Sequence, residues 1–294
     1  MSVETVEAFA ERATACVTEL DRQAYKELFD LPCAVWGDDG CDLRLTEARL
    51  DEVFDRIERN LDALGRPRHR LRIDAERLLG ERLTALRVLT WLELDGAGSR
   101  TDPTSELWIL REREGRLRLT GLVNPMSVHV LGEEGEPEPD HGPRSADGEA
   151  EAGGPATVNA FLAALHDMIR DADVEANLRL IGLPYLRFTD ELTGMVSTPQ
   201  ERRAMAEAAH RVLGPRAAAT ARTTVLAERP YGQTLTCLGI RFDGVLAEGD
   251  RLDPREELWI LRDAGRGLQL CGVVNPVTHE LMRTEDHFET GEPL

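Results

Sequence analysis

The residues best suited to acid–base chemistry are the acids that recur in both halves of the sequence. Two pairs recur, Asp102 with Asp253 and Glu106 with Glu257. Each aspartate precedes a proline, which is typical of a turn residue. Each glutamate flanks an apolar strand, so we expect it at the strand's solvent-exposed end. Catalytic carboxylates need burial or neighbouring charges that tune their pKa, so the sequence assigns no catalytic residue.

Metal and cofactor motifs are absent from the sequence. The seven histidines show no HxH, HExxH or Cys/His ligand spacing, which zinc sites require. No P-loop, GxGxxG or GxSxG pattern follows a predicted strand. We therefore predict neither a metal nor a cofactor. His166 lies near the apolar side of a helix, where a lone histidine is more often structural than catalytic.

Several strand residues could line a pocket instead. Aromatic side chains on strands line pockets or pack in the core, and core packing is favoured. An arginine within an apolar strand can clamp a carboxylate, although an outward position is favoured. An asparagine before proline can supply a pocket amide, although a turn is favoured. The resulting ligand-binding candidates are Trp36, Arg87, Trp91, Asn124, Phe188, Arg241, Phe242 and Asn275.

Four arginines with a spacing of two form a separate candidate for partner binding. They are Arg66, Arg68, Arg70 and Arg72. This spacing places all four on one side of a strand. Their partners could be acids on neighbouring strands, the acidic linker or an acidic external partner. The second half of the chain has no such stripe, so any site here is asymmetric.

Charge and composition exclude several classes of partner. The chain of 294 residues has a net charge of −19, and the segments 132–156 and 284–294 together carry −11 of it. This acidity argues against nucleic acid as a partner. No run approaches 18 apolar residues, so we predict no membrane span. The acidic N-terminus predicts no secretory signal, and five cysteines without CxxC spacing indicate reduced thiols in the cytoplasm.

The sequence is an internal duplication. Aligned without a gap, the 30 residues from Asp102 and the 30 from Asp253 share 14 identities. A duplication at this distance predicts paired domains. Between the copies lies an acidic segment rich in Gly and Pro that cannot bury enough apolar surface to order itself. The predicted organisation is a first module at 1–131, a linker at 132–156, a second module at 157–284 and an acidic tail at 285–294.

Each copy shows the same order of predicted elements. An amphipathic helix, capped by Ser2 or Thr157, precedes a short second helix that ends before a Leu-Pro pair. A hairpin and a third helix follow, with Thr46 or the capping box at Thr198 starting that helix. Four strands close each copy, at 68–79, 83–94, 105–112 and 116–123 in the first and at 218–228, 233–242, 256–262 and 267–274 in the second.

This order, together with the closing segments ELWILR…GRLRLTGLVNP and ELWILR…GLQLCGVVNP, resembles the nuclear-transport-factor-2-like superfamily in its SnoaL-like branch. The resemblance implies an α+β fold of two tandem cone-shaped modules, each a curved antiparallel sheet wrapped around three helices. Members commonly dimerise through the outer sheet face. The resemblance therefore implies an intrachain pseudo-dimer, and a monomeric protein is one consistent outcome.

The family includes isomerases, cyclases, dehydratases and epoxide hydrolases as well as non-catalytic adaptors, so fold alone does not select a function. Where its enzymes often carry an aspartate after the second helix, this chain has Leu31-Pro32 and Leu183-Pro184. We therefore favour a non-catalytic module that binds a small hydrophobic or acidic molecule or a protein. A cofactor-independent isomerase, cyclase, hydratase or hydrolase acting on a small hydrophobic substrate, and a pseudo-dimeric structural scaffold, remain the alternatives.

Overall fold

The structure is a computed structural model that describes residues 3–94, 99–125, 154–213, 220–245, 251–263 and 265–275. The chain divides into two compact units, the first taking in Met1–Pro137 and the second most of the chain from Glu138 onward. This division falls within the predicted linker. Nearly all of that linker, and the predicted tail, lie outside the described residues.

The described part of the first module contains three helices and seven strands. The helices are α1 Val6–Thr18, α2 Arg22–Glu27 and α3 Glu47–Ala63. The strands are β1 Phe29–Gly37, β2 Gly40–Arg44, β3 Arg68–Leu78, β4 Leu83–Leu94, β5 Ser99–Arg100, β6 Thr104–Arg113 and β7 Arg116–Val123. The element order is the one predicted from the sequence.

The second module repeats this order without a counterpart of β5 in its described part. Its helices are α4 Val158–Asp171, α5 Val174–Leu180 and α6 Pro199–Leu213. Its strands are β8 Ile181–Phe188, β9 Thr193–Val196, β10 Thr220–Tyr231, β11 Leu235–Val245, β12 Arg251–Asp263 and β13 Leu268–Val274. The strand predicted to begin at residue 256 begins at Arg251.

Side-chain caps set where the helices begin. Thr46 caps α3 by accepting from the Arg49 amide, as the sequence predicts. The first helix starts later than predicted, because Thr5 rather than Ser2 accepts from the amide at the third helical position. Thr5 and the cap of α4, Thr157, occupy equivalent places in the two modules. The pair therefore fixes the alignment of α1 with α4.

Each sheet is antiparallel except at one pair of strands. The first has the order β2-β1-β7-β6-β4-β3, with β5 beside β4, and the second the order β10-β11-β12-β13-β8-β9. The hairpin strands β1 and β8 join β7 and β13 in parallel. Sequence periodicity does not distinguish these parallel pairs from antiparallel ones, so the prediction of a wholly antiparallel sheet is corrected at this one place in each module.

One face of each sheet, here called the inner face, packs on the helices. In the first module Leu86, Val88 and Trp108 form a buried core with Phe9 of α1 and Phe54 of α3. Successive strand residues point to opposite faces, so alternate positions of β3, β4 and β6 belong to this core. The face matters because polar side chains also lie on it.

No described helix is both long and apolar enough to cross a membrane. The α+β class and the two-module architecture are confirmed. The pairing of the modules as an intrachain pseudo-dimer stays a prediction from the sequence.

Candidate functional site

A buried carboxylate with three hydrogen-bond donors lies on the inner face of the first module. Glu106, near the start of β6, is 7% exposed. Its Oε2 accepts from the Trp108 indole at 2.6 Å, and its Oε1 accepts from the Thr90 hydroxyl and the Asn124 amide, both at 3.0 Å. These donors come from β4, from β6 and from the residue that follows β7. The prediction that Glu106 sits at a solvent-exposed strand end is therefore wrong.

The inner-face position of Glu106 follows from strand geometry. Glu106 and Trp108 are two residues apart on β6 and share one face, and Trp108 packs edge-on against Phe9 of α1 with ring centroids 5.9 Å apart. Burial raises the pKa of the Glu106 carboxyl, although the hydrogen bonds from Trp108 and Thr90 act in the opposite direction. The described residues place no cation on this carboxylate.

The second module repeats the arrangement around Glu257, which is 6% exposed. The Trp259 indole donates to Glu257 Oε2 at 2.7 Å, and the Asn275 amide donates to Oε1 at 2.6 Å. Trp259 also meets an α-helical phenylalanine edge-on, here Phe161 with ring centroids 6.5 Å apart. The solvent-exposed position predicted for Glu257 is wrong for the same reason. We call these two arrangements the Glu-Trp-Asn clusters.

The third donor distinguishes the two clusters. In the second module Arg255 Nε donates to Glu257 Oε1 at 2.8 Å. The Arg255 guanidinium also lies over the Phe242 ring, 5.2 Å from its centroid, within the range of a cation–π contact. The strand register pairs Phe242 with Arg255.

The same register pairs Thr90 with Thr104 in the first module. Two threonines thus occupy the places of an arginine and a phenylalanine, and a neutral hydroxyl replaces a guanidinium as donor to the carboxylate.

A groove of about 560 Å³ runs between α1 and the edge strand β3 of the first module. Its residues are Ala10, Glu11, Thr14, Ala15, Thr18, Glu19, Arg68, His69, Arg70 and Leu71. Leu71 pairs directly with Thr90 on β4, and Thr90 is a donor to Glu106. The inner-face end of the groove therefore lies next to the Glu-Trp-Asn cluster of the first module.

His69 in this groove carries a buried ring nitrogen, Nδ1, that has no hydrogen-bond partner among the described residues. Burial lowers its pKa from 6.5 to about 4, so the imidazole is neutral near pH 7. In the second module His166 of α4 and Thr223 of β10 are hydrogen-bonded at 2.9 Å. The caps align His166 with Thr14, so the second module has a helix-to-strand hydrogen bond at the place where Thr14 lines the groove in the first module.

The predicted pocket aromatics are divided between the core and the clusters. Trp36 and Phe188 are fully buried. Trp91 is partly buried and, by alternation with Thr90, lies on the opposite face of the sheet from the cluster. Phe242 contacts Arg255 as described above. Trp36 and Phe188 also contact the clusters, because their carbonyl oxygens accept from the backbone amides of Asn124 and Asn275, both at 2.9 Å.

The predicted arginines and asparagines also separate. Arg87 forms an ion pair with Asp74 on the neighbouring strand, and Arg241 is exposed. Asn124 and Asn275 each donate to a cluster glutamate. Their side chains therefore take part in the cluster hydrogen bonds, and their role as pocket amides stays a prediction.

The arginine stripe has mixed pairing. Arg66 pairs with Asp62 at 2.6 Å, and Arg70 with Glu93 of β4 at 2.8 Å. Arg72 lies 3.8 Å from Asp74. Arg68 is exposed and has no ion pair among the described residues. Only Arg68 and Arg70 of the stripe line the groove.

Several residues of the site were not predicted from the sequence. They are Glu106, Glu257, Trp108, Trp259, Thr90, Arg255 and His69. One signal was available: Glu, Trp and Asn of each cluster are among the identical positions of the two repeats. Identity between diverged copies marks residues that both copies retain. The comparison of the two repeats gives no such signal for His69, because the surroundings of this position differ between the modules.

Comparisons with known proteins give no family model and no curated protein that matches the chain. Similar solved structures include a cystatin-like-fold domain of unknown function from Nostoc punctiforme, with 13% identity and a TM-score of 0.35, covering 42% of this chain and 75% of that one. An NTF-2-like protein of unknown function from Shewanella oneidensis has 10% identity and a TM-score of 0.34, covering 41% and 95%.

A third is a putative calcium/calmodulin-dependent protein kinase type II association domain from Thiobacillus denitrificans, with 13% identity and a TM-score of 0.35, covering 43% of this chain and 99% of that one. Likenesses at this level carry no functional conclusion. The element order and sheet topology of both modules are those of the NTF2-like fold predicted from the sequence. The two modules thus share one α+β architecture, with a buried Glu-Trp-Asn cluster in each and an open groove in the first.

Proposed function

We propose that this protein is a non-catalytic binding module that holds a small molecule in the α1–β3 groove of its first module. The observation that carries the proposal is the groove itself, with a buried, unpartnered His69 Nδ1 along it. A buried polar atom without a partner costs free energy, and a ligand donor or acceptor at that position would remove this cost. A protein segment seated on the groove is the macromolecular form of the same proposal.

The state of Glu106 supports binding over catalysis. Both carboxylate oxygens already accept hydrogen bonds, and all three donors are neutral side chains. A general acid or base needs a free path to a reacting proton. No second titratable group among the described residues is hydrogen-bonded to Glu106. The cytoplasm stays the proposed location, since the five cysteines are free thiols.

The first experiment is native mass spectrometry of the chain purified from its own host. We expect a bound mass of a few hundred daltons on the intact 32.7 kDa chain. The variant Ala15→Trp fills the groove from an exposed position on α1 and is expected to lose that mass. The matched control is Asp167→Trp, at the equivalent exposed position on α4, which is expected to retain it.

A bare chain in the native spectrum, or a ligand that survives Ala15→Trp, would remove the groove as the binding site. In the first case the favoured function becomes binding of a protein partner or a structural scaffold role. Unchanged far-ultraviolet circular dichroism of both variants ensures that the comparison concerns the groove rather than folding.

A cofactor-independent enzyme is the second candidate, because burial raises the pKa of Glu106, and raised carboxyl pKa values occur at catalytic sites. Incubating the chain with the molecule that it co-purifies with tests this candidate. Turnover that Glu106→Gln abolishes, with ligand binding intact, would favour the enzyme. Return of the ligand unchanged favours the binding module.

A further inference from the structure

The two Glu-Trp-Asn clusters are built from the same residues at the same registers, and they differ in one respect. Glu257 has a cation within hydrogen-bonding distance, Arg255. Glu106 has none among the described residues, although it is buried to the same extent, 7% against 6% exposed. A buried carboxylate without a counter-charge is costly, and buried charges in proteins are normally paired.

The cation of the second module occupies a defined place. The Arg255 guanidinium lies between the Glu257 carboxylate and the Phe242 ring. In the first module the corresponding residues, Thr104 and Thr90, are both much smaller. The Thr90 hydroxyl makes the hydrogen bond to Glu106 Oε1 that Arg255 Nε makes to Glu257 Oε1. A hydroxyl can rotate to another acceptor, so this hydrogen bond is exchangeable.

The groove lies next to the position of Thr90, so a ligand in the groove could reach it. Its inner-face residue Leu71 pairs with Thr90 across the strands. Its lining also includes two acids of α1, Glu11 and Glu19, and two arginines of β3, Arg68 and Arg70. We assign the charge selection to Glu106, whose donor Thr90 pairs with the groove residue Leu71.

We propose that Glu106 binds the cationic head of a small amine or guanidine, seated in the place that the Arg255 guanidinium fills in the second module. The second module carries its own cation, and the first takes one from solution. The rest of such a ligand, an apolar body, would lie along Leu71 and the alanines of α1. This inference rests on the proposed function and gives it a ligand class.

The test uses methylguanidinium as the probe and N-methylurea as its neutral isostere, each added to the full chain at millimolar concentration. The readout is the indole N–H resonance of Trp108 in a ¹H–¹⁵N spectrum, because that N–H donates to Glu106. Trp108→Phe assigns the resonance. We expect a saturable shift with methylguanidinium, none with N-methylurea, and none at Trp259 with either probe.

Two variants test the internal comparison. The double variant Thr90→Phe/Thr104→Arg transplants the second module's arrangement and is expected to abolish the Trp108 response. Arg255→Thr removes the built-in cation, and methylguanidinium is then expected to shift the Trp259 indole as well. Glu106→Gln replaces the double variant in the test if the double variant does not fold. It keeps the side-chain shape and is expected to abolish the Trp108 response.

Equal shifts from both probes, or a Trp108 response that survives Glu106→Gln, would overturn the inference. The two proposals also fail separately. One outcome is that Ala15→Trp displaces a ligand that carries no cation, and that methylguanidinium does not shift the Trp108 resonance. This outcome supports binding in the groove and excludes the cation site. A Trp108 response that persists in Ala15→Trp removes the groove as its route and keeps the cation site.

Discussion

The Trp108 indole donates a 2.6 Å hydrogen bond to the carboxylate of Glu106, two residues earlier on the same strand. Asn124, the residue after β7, and Thr90 on β4 complete the set of donors. The cluster thus ties three adjacent strands together through one side chain. The Trp and Asn donors recur around Glu257. This part of the cluster is therefore common to both modules, whereas the third donor differs.

The carboxyl of Glu106 is expected to make stability depend on pH. Its pKa is raised above the ordinary value of 4.5 by burial, so folding favours the protonated form. The stabilising contribution is complete below about pH 4.5 and is lost as the pH rises through the folded-state pKa. We expect Glu106→Gln to remove this decline, measured as the urea midpoint of the first module between pH 4 and 8. Parallel pH profiles for the two proteins would contradict the assignment.

His69 makes stability depend on pH in the opposite direction to Glu106. Burial lowers its pKa from 6.5 to about 4, so the unfolded chain takes up a proton at a pH where the folded chain does not. Its contribution to stability is present above about pH 6.5 and is lost as the pH falls towards 4.

An NMR titration of the imidazole resonances is expected to place the His69 midpoint near 4, with His69→Asn identifying the signal. A midpoint between 6 and 7 would mean that solvent reaches the ring freely. Because Glu106 and His69 act in opposite directions, the two variants separate contributions that partly cancel in the wild-type profile.

Most of the fold could be predicted from the sequence because local patterns determine it. Thr46 before an amphipathic stretch predicts its helix, and Thr198 with Glu201 forms the predicted capping box, Glu201 accepting from the Thr198 amide at 3.1 Å. The parallel pairing of β1 with β7 could not be predicted in this way, because it joins strands far apart in the sequence. Periodicity reports which face of a strand is apolar and says nothing about its neighbour.

The site could be predicted only in part, since its residues acquire their chemistry from distant partners. A glutamate at a strand start is typically exposed, and Glu106 is buried because donors on β4 and after the end of β7 satisfy it. Asn124 was predicted as a pocket amide, and its hydrogen bond to Glu106 was not predicted because the two residues are 18 positions apart. His69 sits in a groove whose α1 wall lies some fifty residues earlier in the chain, beyond the reach of any local pattern.

The arginine stripe is expected to contribute little to stability. The Arg70–Glu93 pair is 41% exposed on both sides, and Arg72 is 63% exposed. Exposed ion pairs contribute about 0–1 kcal/mol. We expect the triple replacement of Arg68, Arg70 and Arg72 by serine to change the free energy of unfolding by less than about 1 kcal/mol, measured by urea denaturation.

The same triple variant tests partner binding. Loss of binding at unchanged stability would identify the stripe as a binding surface. Unchanged binding and unchanged stability together would leave it as a solvated face. A large loss of stability would contradict the exposed pairing described above. The comparison variant is Arg87→Ser, since Arg87 is 21% exposed and paired with Asp74, and we expect it to be the more destabilising of the two.

Arg255 is expected to be far more important to its own module than an exposed arginine is. Its side chain is 19% exposed and that of Glu257 is 7% exposed, so Arg255→Ala leaves a buried carboxylate without its cation. Breaking such a pair costs about 3–5 kcal/mol when it is fully buried, and we expect about 2–4 kcal/mol here because the arginine is partly exposed. The measurement is chemical denaturation of the full chain, followed through the Trp259 indole resonance.

The control for Arg255→Ala is Arg170→Ala, which removes an exposed arginine paired with Asp167 and Asp171 and is expected to leave the unfolding midpoint unchanged. Replacing both members, Arg255→Thr with Glu257→Gln, should recover much of the lost stability, because the unpaired charge is then gone. If the single and double variants are equally unstable, the loss comes from packing against Phe242 rather than from the charge. In that case the second module's cation would not be the feature that separates it from the first.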